Sequence, residues 1–296
     1  MEISKNLSSQ PIKEVPSVPD VSLRRLNPEI PGELALARAV DLASPEAYNP
    51  EDGTHDSMDD IELKEWHRED ELHMLRYVTV DPQKFKELVD AEQFHQALNE
   101  AENAGDRKRV NALLKMEEEG IIGFTYIYND SKKDLDFKQR EEGLRGKMNI
   151  PAKDDVCEMN FWYVPGTKDA PVEQGTQLTL NEFTSKRTQK TTTVMFVDSS
   201  DIGNTARELI GVDGFTIKTR NKKVSDRDVL KSLAANKDQD EKVKNRLQDT
   251  RILSKMGFEY KGEMMYSSEE KLPSWMYVQT FTPAILPPTP SPAPTV

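Results

Sequence analysis

A single cysteine, Cys157, stands in a chain of 296 residues. That scarcity excludes an intramolecular disulfide and a cysteine-built metal cluster. Histidine is nearly as sparse, at four residues: His55, His67, His73 and His95. His67 and His73 stand six apart rather than at the i, i+4 spacing of a helical zinc pair, and HExxH is absent, so they read as part of a charged helix face and no metal is expected. No run approaches the roughly 18 apolar residues that cross a bilayer. The N-terminus, MEISKNLSSQ, lacks the apolar core of a signal peptide, and a cytoplasmic location is expected. Positive charge is in deficit, with 40 Lys and Arg against 52 Asp and Glu, a net charge of −12. A sequence-independent grip on nucleic acid or on an anionic membrane, which needs a basic surface, is therefore not expected, and this leaves room for a local basic patch. GxSxG elbows, P-loops, Rossmann GxGxxG turns and kinase motifs are also absent, which removes the local signatures of hydrolase, nucleotide-triphosphate and dinucleotide chemistry.

Apolar residues make up 36% of the chain and charged residues 31%, so part of it is expected outside the core. Residues 1–59 read as a mostly irregular acidic lead, in which Pro31-Gly32-Glu33 followed by LALARAV suits the first turn of a short helix. Residues 283–296 are Pro-rich and predict a disordered, polyproline-like tail. Between these ends helical and extended patterns alternate, the mark of an α/β chain. A charged helical stretch spans about 60–75, and Arg76–Val80 is β-rich. Phe85, Leu88, Val89, Phe94 and Leu98, then Val110, Leu113 and Leu114, recur at helical spacing around Gly105. Ile121–Tyr128 has the β-branched and aromatic content of a strand, and Asp155–Val164 alternates in the manner of a second, with Cys157 packed as a small hydrophobe.

After that second strand, Pro165-Gly166 opens a loop read as continuing to Glu173-Gln174-Gly175-Thr176, with a helix beyond it through Leu178, Leu180 and Phe183. A small-residue turn feeding a helix N-terminus suits a phosphate. TTTVMFVD at 191–198 predicts a third strand, and Ser199-Ser200-Asp201 caps a further helix through Asn204–Ile210.

This order over residues 120–282, with FWYVPG, EQGTQLTLNEF, TTTVMFVDSSD and ILSKMGFEYKGEMMY, resembles the GNAT superfamily of acyl-CoA N-acyltransferases. The run Lys255-Met256-Gly257-Phe258 is its most specific patch. The resemblance implies a GNAT-like central mixed sheet flanked by helices over residues 60–282. It also implies a helical insertion near 214–250 that carries Lys218, Arg220, Lys222, Lys223, Arg227, Lys231, Lys242, Lys244 and Arg246. The implied activity is transfer of an acetyl group from acetyl-CoA, as co-substrate, to an amine on a small molecule or protein by direct attack. In that reading Glu158 is the base and backbone groups of Tyr163 and Val164 orient the thioester. Gln174, Gly175 and Thr176 hold the pyrophosphate, and Asn204 lies at the start of the cofactor-side helix. The chain departs from the family at Ala170 and Glu173, which replace glycine-framework positions, and at Leu253, which stands where many relatives place an acidic tyrosine. A shifted alignment brings Lys168 to the phosphates instead. The alternative is a catalytically inactive GNAT-fold interaction module that makes its contacts through the basic insertion and the Pro-rich tail.

Overall fold

The computed structural model describes residues 21–44, 48–49, 54–55, 57–69, 73–129, 135–210, 226–265 and 273–283. The elements in chain order are β1 (Ser22–Arg24), α1 (Pro31–Ala43), β2 (Tyr48–Asn49), β3 (Thr54–His55), α2 (Asp60–Trp66), β4 (Met74–Thr79), α3 (Phe85–Leu88), α4 (Ala91–Asn103), α5 (Arg107–Glu119), β5 (Ile121–Tyr128), α6 (Leu135–Met148), β6 (Asp155–Tyr163), α7 (Asp169–Ser185), β7 (Thr191–Val197), α8 (Ser199–Ile210), α9 (Asp226–Ala235), α10 (Lys237–Arg246), α11 (Gln248–Met256), β8 (Glu259–Met264) and β9 (Ser274–Phe281). No helix among the described residues is long and apolar enough to cross a membrane.

Seven strands form one mixed sheet in the order β1-β4-β5-β6-β7-β9-β8, and β2 and β3 make a separate two-stranded ribbon. Every neighbouring pair in the large sheet is antiparallel except β6 and β7. Parallel neighbours need a crossover, and α7 supplies it. The parallel register runs only from Asp155↔Thr191 to Glu158↔Val194. Beyond that point β6 still pairs with β5 as far as Gly123↔Tyr163, and β7 with β9 as far as Val197↔Trp275. Each strand is thus held by its outer neighbour while the two centre strands separate.

Side-chain alternation sends the two faces of the central strands to different partners. Cys157, Met159, Met195 and Val197 pack with Leu180 and Phe183 of α7 and with Ile202, Val229 and Leu253 of the later helices. Val156, Val194, Phe196 and Met276 pack with Leu144 of α6. A further cluster joins Tyr77 and Ile121 to Leu36 and Val40 of α1 and to Leu113 and Met116 of α5. The lead expected to be mostly irregular therefore contains an ordered strand and a 13-residue helix, whose buried Leu36, Ala37, Val40 and Ala43 recur at helical spacing. Asp59 and Glu62 close a capping box on α2. That helix ends at Trp66, before the expected limit near 75, because Met74 already belongs to β4.

The helical insertion expected near 214–250 is not one continuous helix at its end: Leu247, with an extended ψ of 126°, divides α10 from α11. His67, read as part of a charged face, is instead buried. Its Nδ1 lies 2.6 Å from the Leu63 carbonyl and its Nε2 lies 2.7 Å from the Tyr77 hydroxyl, so both ring nitrogens have partners. The first part of the expected insertion, with Lys218, Arg220, Lys222 and Lys223, and the tail beyond Pro283 lie outside the described residues.

The Gly257-Phe258 patch has a physical explanation. Gly257 ends α11 in the left-handed region at φ +92°, and Phe258 N–H donates back to the Leu253 carbonyl at 2.9 Å while its ring is buried. This is the C-terminal arrangement that favours glycine. Gly257→Ala, which places a Cβ at that φ, is expected to destabilise the fold by about 1 kcal/mol. Urea denaturation with an unchanged m-value and a lowered midpoint is the check.

Candidate functional site

The turn after β6 is shorter than the sequence suggests. Helix α7 begins at Asp169, so Gln174, Gly175 and Thr176 lie inside it and are buried rather than forming a loop. Helix-interior N–H groups bond to carbonyls one turn back, which leaves none at these positions for a phosphate. Gly175 serves a close helix–sheet approach: a Cβ there would stand 2.5 Å from a Val78 methyl and 2.8 Å from the Tyr163 hydroxyl. Thr176 meets the same hydroxyl at 3.0 Å. Asn204 lies exposed on α8 and accepts from Arg207 at 2.8 Å. The proposed cofactor residues are therefore not brought together at the helix N-terminus.

The segment leading into the true N-terminus of α7 is bonded to the rest of the chain. Lys168 is its N-cap, and its N–H donates to Leu88 O at 3.0 Å. Asp90 N–H donates to Gly166 O at 2.8 Å, Thr167 N–H to Val164 O at 3.0 Å, and Gln248 Nε2 to Thr167 O at 2.8 Å. Pro171 in the first turn contributes no N–H. Asp169 lies 2.8 Å from Arg251 and 3.5 Å from Lys255, and Lys255 reaches Glu173 at 4.0 Å. Partial burial opposes ionisation of Asp169, but Arg251 overrides it and holds the carboxyl below its ordinary range. A pyrophosphate would meet two carboxylates here, Arg251 and Lys255 are already engaged with them, and the Lys168 ammonium donates to the Glu87 carbonyl at 2.6 Å. These residues do not fit the cofactor's phosphates.

Glu158, expected as the base, is buried at 2% exposure on β6. It accepts from the Tyr128 hydroxyl at 2.9 Å and from Arg140 Nη2 of α6 at 3.1 Å. This is a buried ion pair completed by a hydroxyl, a structural arrangement rather than a carboxylate open to substrate. Of the two residues expected to orient a thioester, the structure turns only one towards the gap. Val164 N–H bonds to Ile122 O on the β5 side at 2.8 Å. Strand alternation therefore directs the backbone groups of Phe161 and Tyr163 towards β7. Leu253, in the place of the family's acidic tyrosine, is fully buried in the core.

Where β6 and β7 part, a cleft of about 510 Å³ opens. It is lined on β5 and β6 by Phe124, Tyr126, Tyr128, Asn160, Phe161 and Trp162, and across the gap by Met195, Phe196, Asp198, Asp201, Asp249 and Ser274. Ser44, Met58 and Trp66 complete the wall. No lysine or arginine is among these lining residues. Asp198 and Asp201 are exposed, whereas Asp249, in the first turn of α11, is half-buried. Burial, reinforced by the charge of Asp201, pushes the Asp249 carboxyl up to about 6. No group of three His, Cys, Asp or Glu side chains that could hold a metal ion is found among the described residues.

Comparison of the chain with family models, with curated proteins and with solved structures finds no match. The chemistry is carried by the geometry alone.

The aspartates were missed in the sequence because nothing there marks the break at Leu247, which turns Asp249 from a mid-helix residue into a first-turn residue beside the gap. The basic character expected of the insertion is also absent from its described part. Residues 226–250 hold six cations (Arg227, Lys231, Lys237, Lys242, Lys244, Arg246) and six acids (Asp226, Asp228, Asp238, Asp240, Glu241, Asp249). Lys244 is further engaged with Asp240 at 2.7 Å and lies over the Tyr260 ring.

A raised folded-state pKa means that the native protein binds the Asp249 proton more tightly than the unfolded chain does. Stability therefore falls as pH rises from about 4 through about 6. Asp249→Asn removes that loss. The melting temperature of the variant is expected to exceed that of the wild type at about pH 7.5 by more than it does at about pH 4.

Proposed function

We propose that this chain is a GNAT-type protein whose cleft binds a cationic nitrogen group on a small molecule or protein, and whose acyl-CoA site is closed, so that it recognises an amine without acylating it. The observation that carries this reading is the cleft at the parted strands, with aromatic walls, three aspartates and no basic lining residue. Such a site attracts a cation by field and by ring faces together. The GNAT assignment is supported by the single parallel pair in a seven-stranded sheet, by the crossover helix α7 between its members, and by the Gly257-Phe258 turn ahead of the last two strands. The loss of acyl transfer is supported by Pro171, by the Asp169–Arg251 pair and by the intrachain bonds at Gly166, Thr167 and Lys168.

A second reading, acetyl transfer from acetyl-CoA to an amine, is favoured by one observation. Asp249, with its carboxyl near 6, sits at the cleft and is matched to a general base working close to neutrality. Leu253, an apolar side chain packed in the core, offers the leaving thiolate no proton.

Calorimetric titration with acetyl-CoA separates the two readings. The proposal expects no saturable binding to the wild type. It also expects Asp169→Gly/Pro171→Gly, which removes the competing carboxylate and restores an N–H donor, to gain measurable affinity. Micromolar binding to the wild type, with thiol release in the presence of an amine that Asp249→Asn abolishes, would establish transfer instead.

A further inference from the structure

The cleft's walls differ in chemistry. Trp66 stands edge-on to Phe124, with centroids 5.1 Å apart and planes at 87°, and meets Tyr126 at 5.6 Å and 66°. Phe124 and Trp162 lie near parallel at 6.2 Å. Rings at right angles present aromatic surface in two directions at once, a corner into which a rounded cation fits against several rings. The polar side chains on this wall are those of Tyr126, Tyr128 and Asn160. The Tyr128 hydroxyl donates to Glu158 at 2.9 Å, and the Asn160 amide donates to Tyr128 at 3.3 Å, so these polar groups are directed at each other. At the rim, Asp198 caps α8 by accepting from Ser200 N–H at 2.5 Å.

A primary ammonium carries three N–H donors and a tightly held hydration shell, and entry into an aromatic corner leaves donors without acceptors. A trimethylammonium group has no N–H to satisfy. It is drawn to ring faces and to nearby negative charge without needing a directed bond. From the ring corner and the aspartate rim together, we propose that the cleft is selective for a trimethylammonium group over a primary ammonium. This rests on the reading of the cleft as a cation site and specifies the class of cation.

The test uses three probes on the full chain: choline, ethanolamine, its primary-ammonium counterpart, and 3,3-dimethylbutanol, the uncharged carbon isostere of choline. Binding is followed by calorimetry and by the fluorescence of Trp66 and Trp162, which line the cleft. Choline is expected to bind about tenfold more tightly than either of the others. Trp66→Leu is expected to weaken choline by a similar factor. Because Trp66 also packs on Phe124 and Tyr126, Asp201→Asn at the exposed rim is the second variant, and it is expected to weaken choline while leaving 3,3-dimethylbutanol unchanged. Ethanolamine binding as tightly as choline would overturn the selectivity and leave the cation site standing. Equal binding of 3,3-dimethylbutanol would reduce the cleft to an apolar pocket and overturn the inference. Failure of all three at millimolar concentration would overturn both the inference and the cation reading.

Discussion

The structure depends on one limited piece of backbone pairing, the four-residue parallel register that ends at Glu158↔Val194. Parallel strands in the middle of a sheet ordinarily bond along their length, because separated backbone groups lose partners. Here β5 and β9 hold β6 and β7 from outside over longer spans, so the centre can open without the sheet dissolving. The buried pair of Arg140 and Glu158 sits on the last residue of β6 in register with β7, with the Tyr128 hydroxyl as a third partner. A carboxylate buried in this way is tolerated only with such partners, and together they fix β6 to β5 and α6 at the point of divergence.

Everything at the cleft follows from that opening. The walls come mainly from β5, β6 and β7, and α8 and α11 bring acids to the far side of the gap. The turn beneath α7 has developed in the opposite direction. The segment between β4 and β5, through Glu87, Leu88 and Asp90, and the first turn of α11, through Gln248 and Arg251, both bond to it. One side of the parted strands is open and anionic; the other is closed by paired charge. An amine-recognising protein without acyl transfer is consistent with both sides, whereas an acyl-CoA enzyme needs the second side to be open.

Much of the fold was legible in the sequence because strands of this kind carry their own pattern. The strands expected at 76–80, 121–128, 155–164 and 191–198 appear within a few residues of those limits, since alternation and β-branched content mark them directly. The mixed sheet flanked by helices follows from their order. The start of α7 was not legible: Asp169, Ala170 and Pro171 resemble loop residues, yet a proline in the first turn is compatible with a helix, and the buried Val172 already belongs to its inner face. That shift of a few residues moved Gln174, Gly175 and Thr176 from a phosphate turn into a helix–sheet contact. Glu158 was correctly placed on a strand, but its partner Arg140 lies on α6, which the sequence pattern did not mark. Asp198, Asp201 and Asp249 come from three separate segments, and only the folded chain brings them to one cleft.

The most direct test of the parted strands is residue-resolved amide hydrogen exchange on the full chain. Phe161 and Tyr163, whose backbone groups face the gap, are expected to exchange at least about tenfold faster than Cys157, which lies within the parallel register on the same strand. Equal protection of all three amides would mean that β6 and β7 stay bonded to their ends, and would contradict the account of the cleft.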